Sequence, residues 1–409
     1  MRKIDTNKRK IINDPVHGFI SVRYEIIFDL MEHSYFQRLR RICQLGLTSL
    51  VYPGAVHTRF HHAIGAMHLM SMAIDVIRGK GHEITDKEAE AANIAILLHD
   101  IGHGPYSHTL ENNIVTAYDH ETLSLMYMHS LNEEFGGRLD LAIDIFTDSY
   151  HKKFLHQLVS GQLDMDRLDY LRRDSFFTGV SEGVIGSERI IKMLNVVNDK
   201  LVVDAKGIYS IEKFLIARRL MYWQVYLHKT VLSAEKLLEN TLQRAKDLIR
   251  DGHEINASDA LLWFLTYDNT RNEDVLDRFN KLDDSDIMSS VKAWVNHPDK
   301  ILSDLAGRLM NRRLFRIELQ KNPFDKSYID ILQKKISSHF GISDDEASYY
   351  LFSGETSNAA YSRMDEKINI LKHGVLSDLT EASDMFNQSA LSHNVIKYYL
   401  CYPKEINIK

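Results

Sequence analysis

Two cysteines in 409 residues, Cys43 and Cys401, are too few and too far apart for a disulfide framework, and they fit a reducing compartment. Only six prolines and no low-complexity run leave no Pro-rich linker to mark a sharp domain boundary. No apolar stretch reads as a transmembrane span. The opening Met1-Arg2-Lys3-Ile4-Asp5-Thr6-Asn7-Lys8 lacks the apolar core of a signal peptide, so the expected location is cytoplasmic, with no membrane partner. Net positive charge is also missing. A balance of −6 makes the whole chain no attractor of nucleic acid, so any polyanion site must be a local basic pocket. The remaining composition, 44% hydrophobic and 26% charged, is that of a globular protein long enough for two or three subregions.

Histidine is the residue in excess. Seven of the 20 (His57, His61, His62, His68, His99, His103 and His108) fall within 52 positions. The sharpest signal is Leu98-His99-Asp100-Ile101-Gly102-His103-Gly104, preceded by Ala91-Ala92-Asn93-Ile94-Ala95-Ile96-Leu97-Leu98, which is apolar on nearly every side. Such a helix is buried, and its end carries a carboxylate into a poorly solvated place where a bare charge costs several kcal/mol. A metal cation compensates it, since neutral imidazole and ionised carboxylate are both good ligands. Adjacent side chains on a helix point about 100° apart; Gly102 and Gly104 supply the irregularity that lets His99 and Asp100 reach one ion. A second segment, Thr58-Arg59-Phe60-His61-His62, offers another imidazole, and spacing leaves open whether His61 or His62 turns inward. In the third, Asp164-Met165-Asp166-Arg167-Leu168-Asp169-Tyr170-Leu171-Arg172-Arg173-Asp174, helical spacing puts Asp166, Tyr170, Arg173 and Asp174 on one face, costly to bury without a ligand. Mixed nitrogen and oxygen donors suit Mn, Fe, Zn, Ni or Mg.

Around these segments the pattern is helical. A hairpin is expected over Lys10 to Val22, with Asp14-Pro15 and Gly18 in its turn. Helices follow from Glu25 to about Asn198, including one from Gln157 to Asp174. A second hairpin is expected around Leu201 to Tyr209 with its turn at Asp204 to Gly207, then one long helix from Ser210 to Asp251. Helices continue to about Asn311, and Arg313–Leu319 and Val395–Cys401 read as strands. The division expected is a core over 1–255 and a helical, then mixed α+β region over 256–409, with a soft boundary.

His62, His99-Asp100 and Asp166 resemble the H…HD…D signature of the HD-domain metal-dependent phosphohydrolases. Asp14-Pro15-Val16-His17-Gly18, Phe36-Gln37-Arg38-Leu39-Arg40, Gln44-Leu45-Gly46, Pro53-Gly54-Ala55, Thr58–His62, His99–His108, Asp119-His120-Glu121 and Asp164–Tyr170 are similar to the deoxynucleoside triphosphate triphosphohydrolase branch, over roughly residues 10 to 245. That branch includes bacterial enzymes and the HD domain of a mammalian enzyme that also carries a sterile alpha motif. The resemblance implies a mainly α fold, with an HD-domain helical core, small β-hairpins and a small α+β C-terminal region. It implies one divalent metal ion held by His62, His99, Asp100 and Asp166. It puts Arg59, His103, His108, His120, Arg167 and Tyr170 around the triphosphate or the attacking water, with His103, His108 or His120 as general acid. Arg59, Arg167 and Lys229 would neutralise phosphate charge. Gln44 and Asp174 would bind the sugar 3′-hydroxyl, and Tyr226 would stack on the sugar and crowd out a 2′-hydroxyl.

The implied reaction is hydrolysis of a deoxynucleoside triphosphate to deoxynucleoside and tripolyphosphate, by metal-activated water attacking the α-phosphate. The branch also implies a homo-oligomer, dimer or tetramer, with an allosteric nucleotide site between subunits that matches Lys10, Asn13, Glu32, Gln37 and Arg40. Trp223, Gln224 and Leu227 depart from that pattern where the mammalian enzyme has phosphate- and base-contacting residues. The alternatives are an HD phosphohydrolase of another nucleotide (a monophosphate, cyclic dinucleotide or alarmone) and a nucleotide-sensing regulator with little turnover.

Overall fold

The chain opens with the expected antiparallel hairpin, β1 (Ile11–Asp14) and β2 (Gly18–Ser21). One carboxylate oxygen of Asp14 accepts the backbone N–H groups of Val16 and His17, and Gly18 takes a left-handed φ of +74° where the second strand begins. The computed structural model describes residues 10–106, 118–267, 275–358, 367–384 and 395–406. After the hairpin come α1 (Glu25–Glu32), α2 (Arg59–Gly79), α3 (Asp86–Leu98) and α4 (His120–Glu134). The apolar run predicted to be a buried helix is α3: Ala91, Ala92 and Ile94 to Leu98 are all buried, packed against α2. A capping box starts it, Thr85 and Glu88 each accepting the other's backbone N–H.

The helix expected from Gln157 to Asp174 is two helices. Lys153–Val159 ends, and Asp164 caps α5 (Met165–Thr178) by accepting the N–H of Arg167 at 2.7 Å. Aspartate competes with interior helix bonds but satisfies an orphan donor at a helix start, so the break falls there. Asp166 consequently stands in the first turn of α5, where the helix dipole favours a carboxylate.

The second hairpin also differs from expectation. Its strands are β3 (Leu194–Val197) and β4 (Lys200–Asp204), and the turn is Asn198-Asp199, with φ of +51° and +57°. Asn and Asp tolerate the left-handed pair that matches strand twist. Residues 205–207 instead lead into α6 (Ile208–Met221). The long helix expected to Asp251 breaks at a π turn, Tyr222–Tyr226, before α7 (Lys229–Arg250). That wide turn sets Tyr226 so that its hydroxyl donates to Asp174 at 2.7 Å.

Beyond residue 255 lie α8 (Asp284–Trp294), β5 (Arg316–Gln320), β6 (Phe352–Asn358), β7 (Asn369–Lys372), β8 (Val375–Asp378) and β9 (Val395–Tyr402). Both expected strands are present, as β5 and β9, which pair antiparallel in the order β5-β9-β6. A second sheet, β3-β4-β7-β8, joins β4 to β7 in parallel, so the late strands complete a sheet begun by the early hairpin. The fold is mainly α with small sheets. Among the described residues no helix is long and apolar enough to cross a membrane.

The start of α8 braces the segments that flank the histidines. Asp284 accepts the N–H of Cys43 at 2.8 Å, and Asp283 pairs with Arg41. Arg38, fully buried, donates to the carbonyls of Ile101 at 2.8 Å and His103 at 2.9 Å. Burial pushes the Asp284 carboxyl up to about 6, with hydrogen bonds from Cys43 and the Tyr106 backbone opposing. An acid raised in the fold stabilises it only while protonated, so this contribution is present below about pH 4 and is lost as pH rises through 6. Two pH units correspond to about 3 kcal/mol at most. Asp284→Asn is therefore expected to gain on the wild type between pH 4 and 6.5, read as a widening gap between urea midpoints.

Candidate active site

Three segments converge. α2 supplies His62, the end of α3 supplies His99 and Asp100, and the first turn of α5 supplies Asp166. His62 Nε2 lies 3.4 Å from His99 Nε2 and 3.1 Å from Asp166 Oδ1. His99 Nε2 is 3.6 Å from the same Asp166 oxygen and 3.2 Å from Asp100 Oδ1. The other oxygen of Asp100 is 3.8 Å from His62 Nε2 and bonds Arg59 Nη1 at 2.6 Å, so Asp100 stands at the edge of the tighter His62, His99, Asp166 group. His61 turns away, its Nδ1 accepting the N–H of Thr58 at 3.1 Å.

The remaining ring nitrogens fix the tautomers. His62 Nδ1 donates to Asp169 at 2.8 Å and His99 Nδ1 donates to the carbonyl of Ile96 at 2.7 Å. Both Nε2 atoms then aim lone pairs at each other and at carboxylate oxygens, an arrangement that favours a cation among them. Donors about 2.1 Å from a common centre stand roughly 3.0–3.4 Å apart, close to the separations here. The residues fit a divalent ion, and a mixed nitrogen and oxygen set leaves its identity open. Until a cation takes that place a proton does: burial alone would depress His62, but hydrogen bonds to Asp166 and Asp169 lift it to about 10. His99 is raised against the same burial penalty by Asp100 and Asp166. Both carboxyls resist their own burial. Asp166 is held low by hydrogen bonds to His62 and His99, and Asp100 by the charges of His99, His103 and Arg59.

A charged network stands behind His62. Asp169 meets His17 Nε2 at 2.6 Å and Arg173 Nε at 2.8 Å, and Arg173 Nη1 reaches Asp14 Oδ2 at 2.7 Å. The side chains of Asp14, Asp169 and Arg173 are wholly buried. This corrects the helical-face reading of Arg173, which turns to two carboxylates rather than to the face of Asp166 and Tyr170. A guanidinium tolerates full burial only with acceptors on its fork. Gly65 permits the approach, since a Cβ there would sit 2.1 Å from Asp169 Oδ1 and 2.2 Å from Arg173 Nη2.

A cavity of about 610 Å³ opens beside the donors, lined in part by His99, Asp100, His120, Asp166 and Arg167. His103 stacks on His120, centroids 4.1 Å apart, and points Nε2 at Asp100, 3.4 Å away. Burial and the nearby Arg59 push His103 down to about 3. His108 lies outside the described residues. Arg167 pairs with Asp164 and the carbonyl of Gly161. Tyr170 packs its ring 6.4 Å from that of His62 and 6.0 Å from that of Tyr226. Tyr226 bonds one oxygen of Asp174, and His57 meets the other at 2.7 Å. Gln44 donates its backbone N–H to the carbonyl of His57 at 3.0 Å. Lys229 is exposed in the first turn of α7, outside this set.

Of the residues matched to a regulatory site, Lys10 lies over the Phe28 ring at 3.9 Å, while Asn13 and Glu32 are exposed. Arg40 bonds Gln37 at 2.9 Å and covers the Phe60 ring at 3.6 Å. Sequence reasoning missed Asp169 as the partner of His62, and Asp14 and His17 as members of the network behind it, because these two read as turn residues. It also missed His57 and Arg218. Arg218 sits in the last turn of α6, bonds Gln162 at 3.3 Å and lends positive charge to Tyr170; only an Arg-Arg pair at a helix end hinted at it.

The family described as HD associated region matches residues 185–261. A phosphohydrolase from Bacteroides thetaiotaomicron superposes with a TM-score of 0.94 at 54% identity, covering 97% of this chain and all of that one. An uncharacterized protein of Bacillus subtilis, YwfO, is 34% identical over 98% of this chain and 93% of its own length. The deoxynucleoside triphosphate triphosphohydrolase SAMHD1 homolog of Dictyostelium discoideum is 33% identical over 62% of this chain, which spans 54% of that relative.

Proposed function

Because the chain belongs to the HD-domain phosphohydrolase superfamily, on its deoxynucleoside triphosphate triphosphohydrolase branch, we propose that this metal-dependent enzyme hydrolyses deoxynucleoside triphosphates to deoxynucleoside and tripolyphosphate. The observation that carries the reading is the position of Tyr170, between the donor cluster at His62 and the Tyr226–Asp174 pair, two ring contacts of about 6 Å each. A nucleotide spans that distance with its phosphates at the cluster and its sugar at Asp174.

His62, His99, Asp100 and Asp166 would hold the ion. When bound, it supplies Lewis-acid charge and acidifies water enough to make a nucleophile at neutral pH. Arg59 and Arg167 neutralise the phosphates, Arg167 by leaving Asp164; exposed Lys229 adds charge only from the rim. Water adds to the α-phosphorus, the bond to the 5′ oxygen breaks, and a proton from His108 or His120 goes to that oxygen, His103 being held neutral near pH 7 by burial and Arg59. Gln44 and Asp174 take the 3′-hydroxyl, and Tyr226 crowds the 2′ position. A regulatory nucleotide site between subunits of an oligomer is proposed at Lys10, Asn13, Glu32, Gln37 and Arg40.

The test is a panel of canonical nucleotides with Mn²⁺, Mg²⁺ or Fe²⁺, read by product mass. Tripolyphosphate with deoxynucleoside is expected. Monophosphate or pyrophosphate from other nucleotides would point to a different substrate, and tight binding without product to a sensor.

A further inference from the structure

We propose that His57 sets recognition of the sugar's 3′ side, as a buried positioning residue that fixes both arms meeting the 3′-hydroxyl; the inference rests on the reading of Gln44 and Asp174 given above. His57 is 1% exposed and does not itself face solvent. Its ring Nε2–H donates to Asp174 Oδ1 at 2.7 Å, while its backbone carbonyl accepts the N–H of Gln44 at 3.0 Å. One residue thus ties two arms that stand 130 positions apart in sequence.

With His57 on one oxygen and Tyr226 on the other, the Asp174 carboxylate cannot rotate, yet each oxygen keeps a lone pair for an incoming donor. Gln44 Oε1 is buried without a partner among the described residues. Turned over, the Gln44 amide presents its NH2 group at that place, so the two arms offer a hydroxyl an acceptor in Asp174 and a donor in Gln44, which matches the one proton and the lone pairs a hydroxyl carries.

Packing alone does not explain an imidazole here. The ring lies flat on Phe177, centroids 4.5 Å apart and 18° from parallel, a contact a phenyl ring would make equally well. Its Nδ1 is buried with no partner among the described residues, a cost a phenyl ring would avoid. The nitrogen that earns the histidine its place is Nε2, on Asp174. The turn before it is equally close to α5, since a Cβ on Gly54 would fall 2.4 Å from the carbonyl oxygen of Phe177. His57 therefore rides on the helix end that carries Asp174.

The experiment compares kcat/KM for a deoxynucleoside triphosphate and its 2′,3′-dideoxy counterpart in the metal-loaded full chain, for wild type, His57→Phe, His57→Asn and His57→Gln, with melting curves for each. A site built to bond a hydroxyl discriminates against its absence by about a hundredfold or more. His57→Phe and His57→Asn are expected to cut that ratio at least about tenfold, through loss on the 3′-hydroxyl substrate, with dideoxy turnover within about threefold of wild type. His57→Gln, whose amide nitrogen reaches the place of Nε2, is expected to keep it. A folded Phe or Asn variant with the wild-type ratio overturns the proposal. If the Phe variant fails to fold, the Asn and Gln pair decides, and equal ratios in those two overturn it as well. Wild type that does not turn over the deoxy substrate, or ignores its 3′-hydroxyl, overturns the parent reading and this one with it, a failure distinguished by appearing before any substitution.

Discussion

Asp166→Ala is expected to lower turnover more than about a thousandfold while the melting temperature moves by only a few degrees. Partners standing behind a metal ligand are worth about 10–100-fold, and a direct donor counts for more. The Asp166 oxygen is the one shared by both imidazoles, at 3.1 Å from His62 and 3.6 Å from His99. Its side chain is 28% exposed at the first turn of α5, so its loss removes little packing. His99→Ala is expected to behave alike. Turnover, bound metal after dialysis and thermal melting together check this. Wild-type turnover and metal content in both variants would remove the cation from the account.

The largest stability effect is expected at Arg173. Arg173→Met strands Asp14 and Asp169, whose side chains are wholly buried, and breaking a buried ion pair from one side costs about 3–5 kcal/mol. The loss is moderated because Asp14 still accepts two backbone N–H groups and Asp169 still meets His17 and His62. Adding Asp14→Asn to Arg173→Met removes one stranded charge and is expected to recover part of the loss, so the two substitutions are non-additive. Urea midpoints of the two single variants and the double give the coupling. A drop below about 1 kcal/mol for Arg173→Met would show that the triad is not buried in solution.

The helical fold was legible because burial leaves a pattern: the apolar run before His99 suits an interior helix, and Gly18 after Asp14-Pro15 suits a tight turn. Boundaries decided by a single side chain were less so. Asp164 splits one predicted helix by capping the next, and Asn198-Asp199 takes the turn that Asp204 to Gly207 was expected to make. Similar limits apply at the site. Spacing groups donors along one helix, but it does not reveal that Arg173 finds its partner in a hairpin 159 positions away. His61 and His62 were indistinguishable by period; in the structure His62 has the buried carboxylate Asp169 on its far nitrogen, while His61 caps its own helix.

The missing side chain at position 65 acts as a gauge. Gly65 lies one turn beyond His62 on α2, and Asp169 one turn beyond Asp166 on α5, so the gap between these helices and the bite of the donor set are one dimension. A methyl group there would wedge the helices apart and carry Asp166 away from His62. The span available to the ion is therefore metered by a hydrogen atom that touches none of the ligands.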